Sequence, residues 1–164
     1  MDKLIMVLKK TLKDQINIYN TLLELSEKKT DIIVRNNIKE LDNLTKEEQQ
    51  IIIDLSQCEK NRQKAVNTIA SIMEVKEDIN MIAIYDHLND HDKKEIEEIR
   101  DELLNIIEKL NDRNKLNESL IKDSLEYIDL NLELLTTDGF ENTYSDKDNG
   151  QVNKKQKSLF DFKA

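Results

Sequence analysis

The sequence predicts an all-α fold, an elongated antiparallel helical bundle in which a long helical hairpin is joined by a short helix and a long C-terminal helix. Three observations predict it. Charged residues fill 36% of the 164 positions and aromatics 4%, with no Pro, no Trp and two Gly. Strands need turns, and turns draw on Gly and Pro, so this composition suits long helices. Apolar residues also recur at steps of three and four, the period of a helix that buries one stripe. Finally, that pattern is broken mainly at Asn36-Asn37 and from Asn89 to Asp92.

The first helix is expected from Asp2 to about Asn36, with a stripe of Leu4, Leu8, Leu12, Ile16, Tyr19, Leu23 and Ile33. Ser26 and Thr30 fall between Leu23 and Ile33 and weaken its lower end. Asn36-Asn37 stops this helix or caps the next, and Asn37 with Glu40 has the spacing of a capping box.

The second helix is expected from Ile38 to about Val75. Its stripe runs through Leu41, Leu44, Ile51, Leu55, Cys58, Ala65, Ile69 and Ile72, with Glu48 and Arg62 as charged members. So short a connection favours antiparallel neighbours. Residues Ile79 to Leu88 form a short element apolar on more than one face, suited to capping the end of the hairpin. Asp92 with Glu95 then has the spacing of a second capping box.

The final helix is expected from Asp92 to about Thr136, with Gly139 placed for a stop. Its length is roughly 65 Å at about 1.5 Å per residue. The stripe reads Ile96, Ile99, Leu103, Ile107 and Leu110, turns polar at Asn114 and Asn117, and resumes at Ile121. Polar residues at core positions fix register. Between Leu120 and Leu135 eight apolar residues cover more than one stripe, so this part needs more than one partner. Residues 1–137 are thus expected to form the bundle. Residues 138–164, which hold both glycines and no helical or strand period, are expected to form a flexible tail.

The net charge of −9 opposes binding to phosphate backbones and anionic lipid surfaces, so neither nucleic-acid binding nor membrane insertion is expected. No stretch of 18 apolar residues occurs, and the N-terminus has no signal-peptide pattern. A single cysteine, Cys58, allows no intrachain disulfide and fits a reducing cytoplasm. Its place on a helix stripe suits packing more than reactivity. His87 and His91 have metal-ligand spacing, but Leu88 follows the first, and Asn89-Asp90 reads as a helix break that parts them. No phosphate loop, nucleophile triad or Gly-rich nucleotide turn is present, so no catalysis, metal or cofactor is expected.

The second helix and its approach carry Lys29, Ile32-Ile33, Asn36-Asn37, Leu41, Leu44, Glu47-Glu48, Leu55, Glu59 and Arg62. The final helix carries Arg113-Asn114, Asn117, Leu120-Ile121, Ser124-Leu125 and Ile128, and the tail carries Tyr144, Gly150 and a Phe160-Asp161-Phe162-Lys163-Ala164 end. As an ordered set these residues resemble the FlgN family of flagellar export chaperones over nearly the whole chain. The resemblance implies a cytoplasmic chaperone, working without ATP, for the hook–filament junction proteins FlgK and FlgL. It implies that the C-terminal portion binds an amphipathic C-terminal segment of the cargo. It also implies that a tyrosine, here Tyr144, docks on the export gate protein FlhA. Taken with the excess apolar surface, it places cargo binding on Leu120, Leu125, Ile128, Leu132 and Leu135. A structural coiled-coil scaffold is the rival reading, and it predicts a sustained heptad that the breaks at Asn36-Asn37 and Asn89 to Asp92 interrupt.

Overall fold

A computed structural model describes residues 2–74, 84, 85 and 87–141, with side chains to Thr136. Among the described residues there are three long helices and no strand: α1 (Asp2–Val34), α2 (Ile38–Ile72) and α3 (Asp90–Glu141). The all-α expectation holds. The chain divides into two compact units, Met1–Leu125 and Glu126–Ala164.

The hairpin between α1 and α2 is made by two asparagines with different tasks. Asn36 takes a left-handed φ of 54°. The Asn37 N–H then donates to the Ile32 carbonyl at 3.2 Å, and the Asn36 N–H to that of Ile33 at 2.9 Å. This is a Schellman stop, with Asn where Gly is commonest. Asn37 caps α2: its Oδ1 accepts from the Glu40 N–H at 3.2 Å, and its Nδ2 donates to the Glu40 carboxylate at 2.8 Å. The expected pairing of Asn37 with Glu40 is present, although Glu40 bonds the side-chain amide instead of the backbone N–H.

The cap of α3 lies one turn earlier than the sequence suggested. Asn89, not Asp92, caps it: Asn89 Oδ1 accepts from the Asp92 N–H at 2.9 Å, and Asn89 Nδ2 donates to Asp92 at 2.7 Å. The other carboxylate oxygen of Asp92, together with Glu95, reaches across to Lys9 of α1. At its other end α3 continues through Gly139 to Glu141 instead of stopping near Thr136. Most of the short element expected over Ile79 to Leu88 lies outside the described residues, but Ile84 and Leu88 are fully or nearly fully buried.

The first unit has two apolar clusters. In the larger, Ile5, Leu8, Leu12 and Ile16 of α1 meet Ala65, Val66, Ile69 and Ala70 of α2 and Ile96, Ile99 and Ile106 of α3. The smaller holds Leu25, Ile32 and Leu44 at the hairpin end. Leu8, Val66 and Ile69 are sealed from solvent. Pairs such as Lys29 with Glu48 and Gln15 with Glu59 show that α1 and α2 are antiparallel. Lys9 with Asp92 and Ser26 with Asn114 show that α3 runs parallel to α1.

The α1 stripe departs from the expected one below Ile16. Leu22 and Leu25 are buried and Leu23 is half-buried. Ile5, Leu12, Ser26 and Ile33, and likewise Leu8, Gln15 and Leu22, follow a seven-residue repeat in which Gln15 and Ser26 are buried members. On α2, Ile72 is exposed rather than seam-packed.

Candidate protein-binding surfaces

Three polar clusters hold the first unit together and decide which surfaces stay open. At the top, Lys9 Nζ bridges Asp92 at 2.5 Å and Glu95 at 2.6 Å, and Lys13 reaches Glu95 at 3.0 Å. Burial alone would lower the Lys9 pKa, but hydrogen bonds to the two carboxylates hold it above its ordinary value. Hydrogen bonds from Lys9 and Lys13 pull the Glu95 pKa down to about 2.

Lower on the α1–α2 seam, Glu59 accepts from Arg62 at 2.5 and 2.8 Å and from buried Gln15 at 2.8 Å. The Arg62 bond is the main reason its carboxyl sits below the usual range. The seam charges Glu48 and Arg62 do not meet one another, since Glu48 pairs with Lys29. Cys58 is buried, and its thiol donates to the Thr11 carbonyl at 3.6 Å. Burial first, then Asp14 and Glu59, push the thiol up, which suits packing and not nucleophilic chemistry.

The third cluster is the asparagine latch. Ser26 Oγ donates to Asn114 Oδ1 at 2.7 Å, and Thr30 Oγ1 donates to Asn117 Oδ1 at 2.7 Å. Asn117 Nδ2 donates to the Ser26 carbonyl at 2.8 Å. Ser26 and Asn117 are buried. Ser26 and Thr30, the polar residues of the lower α1 stripe, are therefore the partners of the polar step in α3. Such a network has one good alignment, so it sets the register of α3 on α1.

After Asn117 most apolar residues of α3 are exposed, in the first unit and in the second. In the first unit Leu120 is half-buried while Ile121 and Leu125 are exposed. At about 100° per residue Leu120 points well away from the Ile121 and Leu125 stripe. In the second unit, taken by itself, Ile128, Leu132 and Leu135 share one stripe, with Tyr127 and Leu134 beside it. All five are exposed, as is Leu130. Glu126, Asp129 and Glu133 fall on the opposite side of that segment, by the same period. The expected docking tyrosine, Tyr144, lies outside the described residues.

Among the described residues no group of three or more His, Cys, Asp and Glu is arranged to hold a metal ion. His91 is exposed at the start of α3. No helix of the described residues is long and apolar enough to cross a membrane. Among the features missed, buried Gln15 has one signal in the sequence, its seven-residue spacing from Leu8 and Leu22, and the Lys9 cluster has none.

The chain is 28% identical over 148 residues to an uncharacterized protein, YvyG, of Bacillus subtilis strain 168, covering 90% of this chain and 91% of that one. No solved structure matches it. Residues 1–151 match the family model described as FlgN protein, and the chain belongs to the FlgN family of flagellar export chaperones.

Proposed function

We propose that this chain is a cytoplasmic chaperone that holds the C-terminal helical segments of the hook–filament junction proteins FlgK and FlgL. It keeps them monomeric and presents them to the export gate protein FlhA. One observation carries the reading: the run Leu125, Tyr127, Ile128, Leu130, Leu132, Leu134 and Leu135 is 43–73% exposed. So much large apolar surface on one helical stretch marks a protein-binding site. An amphipathic cargo helix matches it by the helix-in-groove mode, with anchors at three- and four-residue steps. Leu120 and Leu125 in the first unit, and Ile128, Leu132 and Leu135 in the second, are the proposed contacts. Tyr144 is the proposed docking residue for FlhA, and competition at the gate would release cargo without ATP. The segment from Asp138 onward is the proposed tethering tail.

The test is co-purification of FlgK and FlgL with a variant carrying Leu125→Asp and Ile128→Asp. Capture is expected to disappear while helical circular dichroism stays at the wild-type level. Undiminished capture by a folded variant would refute the assignment.

A further inference from the structure

Two hollows of about 510 and 550 Å³ lie end to end on the first unit, with Tyr19 lining both. Their linings follow a helical rule. From α1 come Leu12, Gln15, Tyr19 and Leu22, at steps of three and four. From α2 come Glu48, Ile52, Leu55, Glu59 and Arg62, at steps of four and three. α3 gives Ile96, Arg100, Leu103 and Ile107 to the upper hollow. It gives Leu110, Asn114, Asn117 and Ile121 to the lower one, continuing the same steps. Three helices that each turn one stripe toward a common line form the lining a fourth helix meets in a four-helix bundle. The floor from Leu12 to Lys29 accommodates roughly 26 Å of helix, about five turns.

The polar groups at the two ends differ. At the upper end the carboxylates are already engaged: Glu59 with Arg62 and Gln15, and Glu97 with the Tyr85 hydroxyl. The donors are not used up. Arg62 spends Nε and Nη2 on Glu59, and Arg100 spends Nε and Nη2 on the adjacent Asp101. Among the described residues neither Nη1 has a bond. At the lower end Lys29 and Glu48 neutralise one another, which leaves exposed Glu118 as the net charge of that lining. A helix placed here is favoured with its negative C-terminal end at the arginines and its positive N-terminal end at Glu118. Guanidinium groups are the side chains best shaped to take a carboxylate.

We propose that this groove receives the last helix of the cargo, with the cargo's terminal α-carboxylate held between Arg62 and Arg100. The proposal rests on the cargo reading above. It adds a second docking surface, distinct from the leucines after Asn117, and a direction of binding.

The experiment uses the full chain and a fluorescein-labelled peptide of the last 20 or so residues of FlgK from the same organism. The peptide is made as the free acid and as the carboxamide, and binding is read by anisotropy. The free acid is expected to bind at least roughly fivefold more tightly than the carboxamide, as loss of a charged hydrogen-bond partner implies. Arg100→Gln should erase that preference by weakening only the acid. Arg100 is exposed and paired only with its neighbour among the described residues, so this variant keeps its fold. Arg62→Gln should act in the same direction, with circular dichroism as its folding control. A nitroxide near the peptide's C-terminus should broaden amide signals around Arg100 and not those around Glu118. Equal binding of acid and amide, or broadening at Glu118, overturns the groove assignment and leaves the chaperone reading standing. Failure of both peptides to bind overturns the cargo reading, and the groove assignment with it.

Discussion

Two stretches of α3 have nearly the same apolar spacing and opposite fates. Ile96, Ile99 and Ile106 are at most 7% exposed, whereas Leu125, Leu132 and Leu135 are at least 54% exposed. The helix itself does not account for the difference. The first stretch faces Ile5, Leu8 and Leu12 of α1 with Val66 and Ile69 of α2. The bond from Thr30 to Asn117 sets the register, and by it Val34, the last residue of α1, stands level with Ile121. Within the first unit, residues 122–125 therefore lie past the end of α1, and Leu125 has no α1 side chain level with it. Within the first unit, the position of the hairpin stop decides which residues of α3 have an α1 side chain to pack on.

Truncation of one leucine on each side of the boundary separates the two roles most strongly. Leu8→Ala or Ile69→Ala removes a side chain that is 0% exposed. Either should lower unfolding free energy by about 2–5 kcal/mol in urea titrations. Leu132→Ala should change it by no more than about 0.5 kcal/mol, as exposed substitutions do, while weakening cargo capture. Equal losses at Leu8 and Leu132 would mean that the exposed stretch is packed in solution.

The latch comes next in size. Asn117→Ala removes the side-chain acceptor of the Thr30 hydroxyl and the amide that bonds the Ser26 carbonyl, a loss of about 1–3 kcal/mol. Adding Ser26→Ala should cost less than the sum of the two single changes, because both sides of one pair are then removed. If the two losses simply add, Ser26 and Asn117 act independently and the latch does not set register.

Acid tests the top of the first unit. Glu95 titrates near 2 in the folded chain because Lys9 and Lys13 hold it charged. An ordinary Glu titrates at about 4.3. Between these values the unfolded chain binds more protons, so stability rises with pH. The contribution is full above about 4.3 and is lost as pH falls toward 2. Lys9→Met should flatten the stability profile across that window. An unchanged slope would mean that Lys9 is not what holds Glu95 down.

How much of this was legible follows from the same residues. The three helices, the Asn36-Asn37 break and the polar step at Asn114 and Asn117 are visible, because each is a local change of period or of turn residue. The lower half of the α1 seam is not. Gln15 and Ser26 occupy core positions as polar residues, and only their partners, Glu59 on α2 and Asn114 with Asn117 on α3, make them buriable. A stripe traced through apolar residues alone skips them and lands on Leu23 in place of Leu22 and Leu25. The cap at Asn89 was displaced onto Asp92 for a related reason. Asp92 and Glu95 have capping spacing, but Lys9, 83 and 86 residues away, claims both.

The smallest expected effect bears on the boundary itself. Asn36 sits at φ 54°, a conformation that Gly adopts without steric cost and most residues resist. Asn36→Gly should leave stability within a few tenths of a kcal/mol, since both residues serve at this stop. Asn36→Ala should lower it by about 1 kcal/mol, because Ala lacks the tolerance of Asn for the left-handed region. Circular dichroism and urea midpoints on the two variants measure this. If Asn36→Ala is as stable as Asn36→Gly, the chain has moved its turn. α1 would then end elsewhere, and the set of α3 residues left uncovered would change with it.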